Sequence, residues 1–125
     1  MSNNPYEALE RIFHEPNRLA IMSALARASG GLTFNDLKEE CGLTDGNLSR
    51  HLKVLEEAGA VGIKKTFVGV KPQTTAHLSA KGRQNFLDYL KALEEVLKQA
   101  AASIGADKKS PKLALHFAKP NRAKS

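Results

Sequence analysis

The sequence predicts a mainly α-helical domain carrying one small β-hairpin and closed by a long C-terminal helix. Three observations predict it. In residues 44–61, TDGNLSRHLKVLEEAGAV, Leu48, Leu52 and Leu55 recur at spacings of four and three, which is one apolar stripe of a helix. Residues 61–78, VGIKKTFVGVKPQTTAHL, abandon that period for β-branched and aromatic residues around a glycine. Beyond them, Phe86, Leu90, Leu93, Leu97, Ala100 and Ile104 follow spacings of four, three, four, three and four, a seam of the kind found between paired helices. A length of 125 residues suits one domain with one core.

Taken in order, the first helix is expected from about Pro5 to His14, with Tyr6, Leu9, Ile12 and Phe13 on its apolar side. Pro16 suits the first turn of a second helix, where a missing N–H costs nothing, and Leu19, Met22 and Leu25 recur at intervals of three. Gly30 and Gly31 end it. Residues 33–43, TFNDLKEECGL, read as a shorter helix with Phe34, Leu37 and Cys41 on one side, closed by Gly42. In the next helix Thr44 is a good N-cap, Asp45 suits the positive end of the dipole, and Gly59 is placed to end it in a left-handed conformation. Its side opposite the leucines carries Gly46, Asn47, Ser49, Arg50 and Lys53. Asn and Arg can bond bidentately to adenine and guanine edges, while Thr, Ser and Lys suit phosphate oxygens. A solvated surface would look the same on one isolated helix. The neighbouring helix decides, because two helices joined by a tight glycine-containing turn make a helix-turn-helix, whose second helix reads bases.

The hairpin is expected over 61–78 with its turn near Val68 to Lys71. Ile63 and Phe67 are apolar, Gly69 supplies turn freedom, and Thr74, Thr75 and His77 fit the second strand. Lys64, Lys65 and Lys71 have no acidic neighbour in that stretch. Such lysines serve either to defend an exposed edge or to meet phosphates. Ser79 then caps a helix from about Ala80 to Ile104. Its seam suits a second copy of the chain or the first helix of the same chain.

Three runs, LSRHLKVLEEAGAV, EPNRLAIMSAL at 15–25 and HLSAKGRQNF at 77–86, together cover most of residues 12–90. On these the sequence resembles winged-helix transcriptional regulators of the MarR and ArsR type. The resemblance implies a winged helix-turn-helix plus a long C-terminal helix, with a very short strand at Leu32 and Thr33. It implies a recognition helix at about 44–58 in the major groove of double-stranded DNA and a wing at about 61–78 on the backbone or minor groove. Asn47 and Arg50 are then the base contacts; Thr44, Ser49 and Lys53 position the helix on phosphates, and Lys64, Lys65 and Lys71 serve the wing. It further implies a homodimer through the helix at about 80–104, by Phe86, Leu90, Leu93, Leu97 and Ile104, and a small-molecule effector between that helix and the DNA-binding core. Ala60 departs from the pattern, since such families usually carry leucine there, and a looser junction between helix and wing is expected.

Net charge is +6, but residues 105–125 hold Lys108, Lys109, Lys112, Lys119, Arg122 and Lys124 against Asp107 alone. Most of the excess therefore sits on an expected flexible, basic tail, interrupted by an apolar island from Leu113 to Phe117, and residues 1–104 form the DNA-binding domain with its dimerisation helix. The lone Cys41 cannot make an internal disulfide, and the polar start and lack of a long apolar run argue against secretion and membrane insertion, so a cytoplasmic protein is expected. His14, His51, His77 and His116 are scattered, and no HExxH, CxxC, phosphate loop or nucleophile elbow occurs. No enzyme, metal or cofactor is expected. Cys41 reads as core filling, and His51 as a half-buried packing or phosphate-contacting residue. The sequence thus points to a sequence-specific DNA-binding regulator of transcription. A non-specific architectural DNA-coating protein and a protein-interaction module remain as alternatives.

Overall fold

The computed structural model describes residues 11–105. The expected helix from Pro5 is seen as α1 (Arg11–His14); its earlier part and the basic tail with its apolar island lie outside the described residues. There follow α2 (Pro16–Ala26), β1 (Leu32–Thr33), α3 (Phe34–Cys41), α4 (Asp45–Glu57), β2 (Val61–Val68), β3 (Lys71–Leu78) and α5 (Ala80–Ile104).

Local chemistry sets these boundaries. The Thr33 hydroxyl accepts the Asp36 N–H at 3.0 Å to start α3, and Thr44 does the same for Asn47 at 3.2 Å to start α4. Gly42, at φ 65°, turns the chain between the two helices, its N–H reaching Glu39 O at 3.3 Å while Leu43 N–H reaches Lys38 O at 3.1 Å. Gly59, at φ 79°, follows the end of α4 as expected. The three strands order as β1-β3-β2, all antiparallel, with Leu32 opposite Ala76 and the β2–β3 ladder running from Val61↔Leu78 to Val68↔Lys71. Gly69 and Val70 make the two-residue turn.

The core of residues 11–87 is built from Phe13 of α1, Ile21, Met22, Ala24 and Leu25 of α2, Leu37 of α3, Leu48, Leu52 and Leu55 of α4, Val61 and Ala76 of the sheet, and Phe86 of α5. In α2 the buried face is wider than the three-residue spacing suggests: Ile21 is fully buried and Leu19 only half-buried. The boundary between two compact units falls within α5, with Asp88 onward belonging to the second. Phe86, expected on a dimer seam, instead fills its own domain, its ring meeting that of Phe13 edge to face at 5.4 Å between centroids. Further along α5, Tyr89 is buried, Leu90, Leu93 and Leu97 are half-buried, and Ile104 is exposed.

The junction at Ala60 is tight, contrary to the looser packing expected there. Ala60 is 4% exposed, its carbonyl accepts the Ser79 N–H at 3.1 Å, and a Cβ placed on Gly82 would overlap that same carbonyl. The small side chain at 60 and the absent one at 82 let the first turn of α5 lie directly on the chain leaving α4. Ser79 joins the same junction, since its hydroxyl donates to Gly59 O and accepts the Gly82 N–H at 2.8 Å. Gly82→Ala should therefore destabilise the protein by about 1–3 kcal/mol through overpacking. The measurement is the urea midpoint at constant m-value. In an open helical site the same change stabilises by up to about 1 kcal/mol, so a raised midpoint would refute the contact.

Candidate nucleic-acid interface

The two sides of α4 differ sharply. Leu48, His51, Leu52 and Leu55 are buried, whereas Gly46, Asn47, Ser49, Arg50 and Lys53 are all exposed on the outside. Asn47 Oδ1 accepts from Arg50 Nη2 at 2.9 Å, which ties the two side chains together one turn apart. The amide nitrogen of Asn47 and the other guanidinium donors still face outward, a donor-rich pair suited to base edges. Because the Thr44 hydroxyl oxygen already accepts the Asn47 N–H, what it can offer a phosphate is its single hydrogen.

One acidic group lies in the first turn of α4. Asp45 is bridged by Lys38 of α3 at 2.9 Å, which offsets a charge that would repel phosphate. The sequence showed each residue but not the pair, which depends on how the turn at Gly42 folds α3 back beside α4.

His51 was expected to be half-buried or on a phosphate; it is 3% exposed and engaged inside the protein. Its Nδ1 lies 3.2 Å from Arg18 Nη1 of α2, and Arg18 Nε donates to Ile12 O at 2.7 Å. A guanidinium has only donors, so Nδ1 must accept, which assigns the neutral ring with its proton on Nε2. Glu15 Oε1, 3.9 Å from the same nitrogen, would favour the charged ring. Burial, helped by the positive charges of Arg50 and Arg18, outweighs Glu15 and holds His51 below its ordinary pKa. For Glu15, burial acts upward, but the Arg18 N–H, donated at 2.8 Å, and the positive neighbours prevail and lower it.

The hairpin carries Lys64, Lys65 and Lys71 exposed, and burial fades along it from Val61 at the base to a tip where every residue from 64 to 73 is exposed. Lys64 and Lys65 are adjacent in β2 and so point to opposite faces. The tip holds Phe67, Val68 and Val70 at 71%, 60% and 92% exposure. The sequence marked Phe67 as an apolar residue of the hairpin, and only the structure reveals that the strand has left the core by that point. An open groove of about 570 Å³ separates the tip from the first turn of α3, between Phe34 and Asn35 on one side and Val68, Pro72 and Gln73 on the other.

Among the described residues no three His, Cys, Asp or Glu side chains gather as metal ligands, and no helix is long and apolar enough to cross a membrane. The half-buried Cys41 thiol is pushed up by burial and by Glu40 beside it, the reverse of a reactive cysteine.

A helix-turn-helix followed by a two-stranded wing defines the winged-helix class of DNA-binding proteins. Residues 17–97 match the Winged helix DNA-binding domain family, and the chain belongs to it. The Uncharacterized protein MJ0432 of Methanocaldococcus jannaschii is 41% identical over 80 residues, covering 64% of this chain and 86% of that protein. Among solved structures, a transcriptional regulator homologue from Pyrococcus horikoshii OT3 superposes with a TM-score of 0.71 at 27% identity, covering 79% of this chain and 98% of its own. The M. tuberculosis transcriptional regulator MOSR, solved in complex with DNA, shares the fold with a TM-score of 0.60 at 20% identity, covering 91% of this chain and 79% of its own. The expected kinship with winged-helix transcriptional regulators holds, and these are DNA binders rather than enzymes.

The buried histidine makes a pH test available. Its folded pKa lies below the ordinary 6.5, so the unfolded chain binds the proton first and stability falls as pH drops below about 6.5. The lowered Glu15 carboxyl adds its own loss only beneath its ordinary 4.5, in a separate window. Urea titrations between about pH 8 and pH 5 should show the wild-type midpoint falling and His51→Gln losing most of that dependence. Equal falls in the two proteins would place the titration elsewhere.

Proposed function

We propose that this protein is a sequence-specific regulator of transcription that binds double-stranded DNA as a homodimer, with α4 in the major groove and the β2–β3 wing on the backbone or minor groove. The observation that carries the reading is the division of α4. Its back is fully committed to the core, and its front offers Asn47 and Arg50 as a joined donor pair with Ser49 and Lys53 beside them. Asn47 and Arg50 read base edges; Thr44, Ser49 and Lys53 set the register on phosphates, and Gly46 lets the first turn approach closely. Lys64, Lys65 and Lys71 hold the wing. The seam of α5 beyond Phe86 bears on the dimer: Leu90, Leu93 and Leu97 are only half-buried and Ile104 is 80% exposed, so apolar surface is left for a second copy.

The deciding experiment is selection from random duplex DNA by the full-length protein at near-physiological salt, followed by sequencing. An enriched inverted repeat with half-sites about one helical turn apart is expected. Retention without enrichment would favour an architectural, non-specific binder, and no retention would overturn DNA reading altogether. On the selected site, Arg50→Ala should remove about 1–3 kcal/mol of discrimination at one base pair, whereas Lys65→Ala should weaken all sequences alike and lower the salt slope by about one. Equal losses on every sequence for Arg50→Ala would refute base reading by that residue. Leu93→Asp should halve the mass measured by light scattering by placing charge in the seam, and an unchanged mass would sink the role of α5 in dimerisation.

A further inference from the structure

We propose that the tip of the β2–β3 hairpin is an apolar wedge for the minor groove of duplex DNA, with Phe67 and Pro72 opening a base step and bending the duplex. This rests on the DNA-binding reading above and adds a mode of recognition to it. Five large apolar side chains are exposed among the described residues, and three of them, Phe67, Val68 and Val70, crowd into four consecutive positions at the tip. Among the described residues the fold gives them nothing to cover. Burial along the hairpin ends at Ile63 on β2 and Thr74 on β3, and beyond that point the ribbon carries its apolar end into solvent, which invites edge-to-edge association unless the end has a use.

Charge names the occupant. From Ala58 to Leu87 the chain has no aspartate or glutamate but carries Lys64, Lys65, Lys71, Lys81 and Arg83. A polyanion therefore suits this surface, and β2 starts four residues beyond the end of α4 and packs against that helix. The register arms both faces of the ribbon. Phe67 stands opposite Pro72 on the face that also carries Lys65, while Val68 stands opposite Lys71 on the face that carries Lys64. Each face thus pairs an apolar group near the tip with lysine, an arrangement for reaching the two phosphate strands that rim a groove. The minor groove is about 6 Å wide and two strands are already about 4.8 Å apart before side chains are added, so the tip enters only by widening the groove. Phe and Pro are residue types that unstack base steps and kink the duplex when inserted there. Flexible pyrimidine–purine steps then become the preferred sequence under the wing, read by deformability rather than by base contacts.

The chain has no tryptophan, so Phe67→Trp places a single indole at the wedge. The probe is a mixed-sequence duplex of about 30 base pairs with a fluorescent donor and acceptor at its ends, titrated with the full chain at low salt while anisotropy reports binding. At saturation the indole emission should be quenched by stacking on bases and the duplex ends should draw together. Phe67→Ala should bind about 5- to 100-fold more weakly, as for loss of one base-stacked ring, and should lose the shortening. Lys65→Ala should also bind more weakly but keep the full shortening once saturated. An unquenched indole on bound DNA, or full shortening with Phe67→Ala, would overturn the wedge. Absence of wild-type binding at any salt would overturn it by removing the DNA-binding reading on which it rests, and the anisotropy distinguishes that failure from the other two.

Discussion

Three buried leucines and one buried histidine hold the inner face of α4, and what the outer face presents depends on that anchorage. A helix of 13 residues is marginal alone in water, so its direction is set by what it packs on. Burying each leucine contributes roughly 1.5–3 kcal/mol, whereas an exposed ion pair such as Lys38–Asp45 contributes about 0–1 kcal/mol. The leucines therefore place the helix, and the ion pair serves chiefly to cancel a negative charge on the presenting side. His51 adds direction to the apolar contacts, because its Nδ1 takes a guanidinium hydrogen from Arg18, itself held by the Ile12 carbonyl. Rotation of α4 about its axis would break that chain of hydrogen bonds.

The same constraint extends to the wing through a junction with almost no side-chain volume. Ala60, Gly82 and the Ser79 hydroxyl bring the end of α4, the base of the sheet and the first turn of α5 into direct backbone contact. Lys81, whose side chain lies against Gly59, adds a positive charge at the negative end of α4. The hairpin thus leaves the body at a fixed place beside α4, and its outer half, with both faces exposed, is shaped by its ladder and two-residue turn rather than by the core.

Much of this was legible along the chain because it rests on local chemistry. Thr44 as a cap, Gly42 and Gly59 as helix ends, Ser79 before α5 and the turn after Val68 all act within four residues, so position in the sequence is position in the structure. The division of α4 into leucines and polar groups was legible for the same reason. Spacing misled where burial depends on a distant element. Phe86 fits a seam by period, yet Phe13 claims it; Ile21 breaks a three-residue pattern, yet the core reaches around α2 to cover it. The loss expected from alanine at 60 did not arise, because a glycine 22 positions later lets another backbone close the gap.

By itself, the sequence determined the order of the helices and the hairpin, most of their ends and the side of α4 turned outward, since periodicity and capping are properties of neighbours along the chain; the winged helix-turn-helix class followed from the family resemblance of three runs within it. The tertiary structure decided which polar and apolar groups are engaged. It put His51 inside against Arg18, joined Asp45 to Lys38, and left Phe67, Val68 and Val70 beyond the reach of the core. Those outcomes depend on where separate elements come to lie, and a one-dimensional pattern does not record the distance between two helices or the point at which a strand outruns the surface beneath it.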